Sequence, residues 1–194
     1  MSTIKKRPVS PRQKMINLMY IVLLAMLALN VSSDVLKGFQ LVGDSLRLTT
    51  GNSMKENEEL YKDFRTQLKA NHNKVAPWYE KAMQVKQMSD SLYNLAENLR
   101  QAIARETDGA DGDPDNLQNK EDLNAAEKIM LAPRKGQGEN LFNAINSFRN
   151  RILSFVPDPR RQAIIASNLN TDVPPGEDNL GKNWQEYMFE QMPS

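Results

Sequence analysis

The apolar positions along the chain fall into one long uncharged run followed by stripes at helical spacing. Residues 15–33, MINLMYIVLLAMLALNVSS, carry no charge, Gly or Pro across nineteen positions, and fifteen of them are apolar. At about 1.5 Å per residue this run just spans a bilayer core of roughly 30 Å. Apolar residues then continue at Val35, Leu36, Phe39, Val42 and Leu46, so the helix is expected to leave the bilayer unbroken, weakened but not ended by Gly38 and Gly43. A second helix is predicted over residues 53–75, where Leu60, Tyr61, Phe64, Leu68 and Val75 form one stripe. Pro77 is expected to open a third, in which Trp78, Val85, Met88, Leu92, Leu95 and Leu99 follow the steps of a bundle seam. Shorter helices are predicted near 120–132, ending at Pro133, and over 138–156, with Leu141, Phe142, Ile145, Phe148, Ile152 and Val156 inward. No run of alternating β-branched residues suggests a strand. The expected fold is all-α: a cytoplasmic tail at 1–10, a single transmembrane helix at 11–34, and a periplasmic four-helix-bundle-like domain at 35–194.

Charge orients this arrangement. Lys5, Lys6, Arg7, Arg12 and Lys14 precede the apolar run with no acid among them, and Asp34 follows it. The positive-inside rule therefore puts the N-terminus in the cytoplasm. Removing those five cations from the total of 25 leaves 20 against 24 acids, so the remainder of the chain is acidic overall, unlike a nucleic-acid-binding face. A cleaved signal peptide and a buried core helix are the competing readings of the run. Its length exceeds an ordinary signal core, and Ala28-Leu29-Asn30 is a poor cleavage site, although Val31-Ser32-Ser33 is a passable one.

The start of the helix is marked by Ser10, Pro11 and Gln13, which fit a capping box with Pro at the first helical position. Arg12 then falls in the first turn, where a cation opposes the helix dipole. General membrane physics favours a headgroup anchor for Arg12 and Lys14. At 100° per residue Arg12, Ile16, Met19, Leu23 and Asn30 share a face with Tyr20 beside it, while Ala25, Ala28 and Ser32 lie opposite. Small residues allow close helix approach, and Asn17, Tyr20 and Asn30 suit polar contacts between helices. The run holds no Asp, Glu or His, so any titrating carboxylate in a proton-driven assembly must come from another subunit.

Few residues can support chemistry. There is no Cys and one His, so no nucleophile-and-base pair can be nominated, and neither an enzyme nor a bound cofactor is expected. His72 reads as a core or edge histidine on its stripe rather than a metal ligand. The segment DGADGDPDNLQNKED at 108–122 is the one hint of metal. Asp111, Asp113, Asp115 and Asp122 take positions 1, 3, 5 and 12 of an EF-hand-like loop, but Asn116 replaces its Gly, Pro114 is foreign to it, and Asp122 is shorter than the usual Glu. A solvated acidic loop is the favoured reading. Gly136-Gln137-Gly138 is a turn before a helix, and Arg160-Arg161, after Pro157 and Pro159, reads as a helix start on a wet surface.

The string SPRQKMINLMYIVLLAMLALNVSSDVL at 10–36 resembles the membrane segment of the GldM/PorM family of the type IX secretion and gliding-motility machinery. NWQEYMFEQMP at 183–193 is similar to the tryptophan and tyrosine motif of that family's first periplasmic domain, and PWYEKA at 77–82 is also family-like. The resemblance implies one half of a proton-motive-force-driven inner-membrane motor, with two copies threaded through a ring of the two-helix protein GldL/PorL. It places the family's intramembrane arginine on Arg12, facing a glutamate of the ring, and overrides the headgroup reading; Asn17 and Tyr20 match the same motif. It also implies β-rich domains beyond the helical one, through which outer-membrane components would be reached. A membrane-anchored helical scaffold or sensor is the alternative.

Overall fold

The computed structural model describes residues 10–133 and 136–190, and within that range the side chains of 26–34 are left out of the description. Among the described residues every regular element is helical: α1 Pro11–Ala70, α2 His72–Asp108, α3 Ala125–Leu131, α4 Gly138–Phe155, α5 Pro159–Asn168 and α6 Trp184–Phe189, with a 3-10 turn at Glu177–Asn179 before α6. The chain divides into two compact units, Met1–Lys62 and Asp63–Ser194.

In the first unit α1 passes through Gly38, Gly43 and Gly51 without a break. A helix was expected to end before residue 53, yet Gly in a helix interior costs only about 1 kcal/mol relative to Ala, which neighbouring residues absorb. The hydroxyls of Thr49 and Thr50 bond the carbonyls of Ser45 and Leu46 one turn back, so their polar groups are satisfied inside the helix. Val35, Phe39, Val42 and Leu46 are exposed along it. Among the described residues no helix is long and apolar enough to cross a membrane. The 15–33 run extends into residues 26–34, outside the side-chain description.

The second unit is built on two long helices. α2 packs against α3 and α4, α3 against α4 and α6, and α4 against α5 and α6. Among the described residues its buried apolar side chains are Leu99 and Ala104 on α2 with Ala125, Ala126 and Met130 on α3. Leu141, Phe142, Ile145, Phe148 and Ile152 on α4 are half-buried, so they face the core side as the periodicity predicts but are not sealed from solvent. Thr171 is the one buried polar residue among those described, and its hydroxyl donates to Asn146 Oδ1 at 3.1 Å. The same oxygen accepts from Arg149, whose other nitrogen donates to the Leu169 carbonyl at 3.1 Å, tying the chain after α5 to α4.

Three expectations are corrected here. The break between the first helices lies at Asn71 (φ −147°, ψ 72°), so α2 begins at His72 and carries Pro77 inside it rather than at its mouth. Pro77 lacks the N–H that would serve the Asn73 carbonyl, and both residues are exposed, so water can satisfy that oxygen. His72 is exposed at the first position of α2, not on a core stripe. Trp78, expected inward on the seam, is 58% exposed; the half-buried residue of that turn is Tyr79, whose ring stacks on Phe64 with centroids 6.1 Å apart.

Candidate functional site

The candidate site at the start of α1 is ordered by local bonds. Ser10 Oγ accepts from the Gln13 N–H at 3.3 Å, and the Lys14 N–H donates to the Ser10 carbonyl at 3.0 Å, so Ser10 caps the helix as the sequence suggests. The Gln13 side chain does not complete the box; its amide donates to Asn17 Oδ1 at 3.4 Å. Asn17 is thus engaged along its own helix. Arg12 and Tyr20 are exposed, and with Ile16 between them at intervals of four they run along one ridge of α1. The side chain of Asn30, the remaining polar candidate of this segment, lies outside the described residues.

In the acidic loop after α2 the carboxylates of Asp113, Asp115 and Asp122 are taken up by protein partners. The Asp115 carboxylate takes the Arg100 guanidinium at 2.7 Å, Asp113 Oδ1 accepts from the Asp115 N–H at 2.9 Å, and Asp122 Oδ1 accepts from the Asn124 N–H at 2.8 Å. Each of these three carboxylates therefore serves its own stretch of backbone or α2. Among the described residues no group of three His, Cys, Asp or Glu could hold a metal ion. Burial pulls the Arg100 guanidinium downward, but its hydrogen bonds to Glu97 and Asp115 and their charges outweigh this and raise its pKa above the ordinary arginine value.

What the loop does instead is clasp α2. Asp108, the last residue of α2, accepts from the backbone N–H groups of Gln118 and Asn119 at 2.7 and 3.1 Å. The Gln101 side chain donates to the Gly112 carbonyl at 2.8 Å. Gly112 is buried against α2 at a distance only a residue without Cβ allows. Reading the aspartates by metal-ligand spacing missed Asp108, Arg100 and Gln101. A carboxylate on the last turn of a helix just before Gly109 was the available signal for a loop that folds back.

The tryptophan and tyrosine motif forms α6, which packs on α3 and on the start of α4. Asn183 Oδ1 accepts from the Glu186 N–H at 2.8 Å while the Glu186 carboxylate accepts from the Asn183 N–H at 2.9 Å, a reciprocal cap that starts α6. Asn-x-x-Glu spacing was visible in the sequence and predicts this short helix. α6 presents Trp184 to Phe142 of α4, centroids 5.7 Å apart, and to Phe189 edge-on at 5.9 Å. Gln185 lies against Gly138, where an added Cβ would stand 2.9 Å from Gln185 Cγ and from the Met130 carbonyl. The second glycine of Gly136-Gln137-Gly138 therefore lets α3, α4 and α6 meet. Lys182 and Glu190 close α6 with an exposed ion pair at 2.7 Å.

These features define a helical domain of two long helices, latched by an acidic loop clasped on α2 and by a capped aromatic helix packed on α3 and α4. The sequence profile of the GldM N-terminal domain matches residues 34–194, which covers α2 to α6 and most of α1; the chain belongs to the GldM family. That membership makes it a component of the type IX secretion and gliding-motility machinery. No curated protein matched the chain.

Proposed function

We propose that this chain is the single-span subunit of an inner-membrane motor that turns the proton motive force into mechanical work for type IX secretion and gliding. In this reading residues 1–10 are cytoplasmic, 11–34 cross the membrane, and 35–194 lie in the periplasm, the orientation favoured by the cations ahead of the apolar run. Two copies thread a ring of a GldL/PorL-type protein. The chain is not itself catalytic.

The reading is carried by one conjunction: a GldM-family domain joined, through an uninterrupted α1, to an apolar run that has no acid and begins beside an exposed guanidinium. A guanidinium is a fixed cation that pairs bidentately with a carboxylate. Paired with Arg12, a ring carboxylate holds its proton more weakly, and proton arrival from the other side neutralises it and releases the pair. Alternate pairing and release at successive ring carboxylates move ring and helix past one another, and α1 carries the displacement outward. Asn17, Tyr20 and Asn30 line further contacts with neighbouring membrane helices.

The test is Arg12→Gln in the intact complex. The expected result is loss of secretion and of partner-dependent proton flux, with the complex still co-purifying. Secretion at the unaltered level would overturn the assignment.

A further inference from the structure

The elbow between α1 and α2 gathers a set of side chains for which the motor reading has no task. Between Asp63 and Glu80 the chain carries Arg65, Lys69, His72 and Lys74 with no acid among them, although the rest of the chain after the apolar run is acidic overall. Phe64, Leu68, Val75 and Tyr79 are half-buried, and the Phe64–Tyr79 stack holds the two helices across the break at Asn71. Arg65, Lys69, His72 and Lys74 are all left exposed, together with the amides of Gln67, Asn71 and Asn73. Trp78 stands beside them, 58% exposed, with the Lys81 ammonium 5.1 Å from its ring centroid.

Two physical features coincide at this place. A cluster of like charges with no acid interleaved is a local electrostatic cost that a partner of opposite charge relieves. An indole held in water forgoes much of its burial free energy, and tryptophan is among the residues that dominate interface energetics once covered. The surrounding amides can bond peptide groups and carboxylates alike. A lipid surface fits less well, because an interfacial helix presents a whole apolar face, and here the large apolar residues other than Trp78 turn inward.

We propose that the α1–α2 elbow is a docking surface for an acidic segment of a partner protein, whose carboxylates meet Arg65, Lys69 and Lys74 around an apolar residue seated on Trp78. The proposal stands independently of the motor reading, since the elbow lies wholly in the Asp63–Ser194 unit.

The test measures fluorescence anisotropy of a short fluorescein-labelled peptide of Glu, Leu and Ala against the full chain in detergent. Binding should weaken about tenfold in Lys69→Glu/Lys74→Glu and again in Trp78→Ala, a change of about 1.4 kcal/mol each. It should also weaken as salt rises. Arg160→Glu/Arg161→Glu on α5 should leave it unchanged, and the neutralised Lys69→Gln/Lys74→Gln guards against a folding defect by giving an intermediate loss with an unaltered circular dichroism spectrum. The proposal is overturned if the unaltered chain fails to bind the peptide, or if the α5 variant loses as much as the elbow variants. It is equally overturned if phosphatidylglycerol vesicles bind through Trp78 and the peptide does not.

Discussion

A Cβ placed on Gly112 would lie 2.1 Å from the carbonyl oxygen of Ala104, so the acidic loop and α2 touch backbone to backbone. Gly112→Ala must push the loop away and strain the bonds that Gln101 and Asp108 make to it. The expected loss is about 2–3 kcal/mol, typical of a forced overpacking. Urea unfolding checks it, and amide exchange at Gln118 and Asn119 should accelerate in the same variant.

Trp184→Ala removes the ring that sits between Phe142 and Phe189. Trp184 is half-buried, so the cost falls below that of a sealed tryptophan, at about 2 kcal/mol. The thermal midpoint of the Asp63–Ser194 unit should drop accordingly, with most helical content retained because α2 packs on α3 and α4 and has no major contact with α6.

How these elements could be read from the sequence depends on what fixes them. α4 was legible because Leu141, Phe142, Ile145, Phe148 and Ile152 repeat on one face, and its observed span differs from expectation by one residue at the end. The start of α5 was legible in Pro159, and Asp158 Oδ1 indeed accepts from the Arg160 N–H at 3.0 Å. The break at Asn71 was not, because Gly51-Asn52-Ser53 carries stronger local breaking signals than Ala70-Asn71, whereas the Phe64–Tyr79 stack that spans the observed turn is a tertiary contact. The aspartates of the loop suggested coordination by spacing alone, whereas their partners, Arg100 and backbone groups, lie up to fifteen residues away. Contacts of that kind leave no periodic mark.

The Lys182 ammonium has its pKa raised, chiefly by its hydrogen bond to Glu190. A group whose folded value is raised stabilises the fold below its unfolded pKa and loses that contribution as pH climbs through the folded one. Lys182→Met should therefore melt slightly earlier than the unaltered protein at neutral pH. The gap should close as the buffer is taken above the ordinary lysine range of about 10.4. A gap that persists at high pH would show that the pair is not its source.

Met130 is 3% exposed on α3, the helix that packs against α2, α4 and α6. Met130→Ala should cost about 2–3 kcal/mol, as expected for a buried methionine. Differential scanning calorimetry reads the loss directly.

Replacing residues 15–33 by a generic leucine-rich span separates the motor from a passive scaffold. A scaffold tolerates the exchange, since any apolar helix of that length anchors the domain. The motor does not, and secretion should fall to the level of the Arg12→Gln variant although the protein still reaches the membrane.

Only Asn71 parts a sixty-residue helix from the next one of thirty-seven. A single residue offers two soft torsions, and the stacked rings of Phe64 and Tyr79 bear on both. There is accordingly little slack between Ala70 and His72: two torsions and one pair of stacked rings set the direction in which the second helix departs.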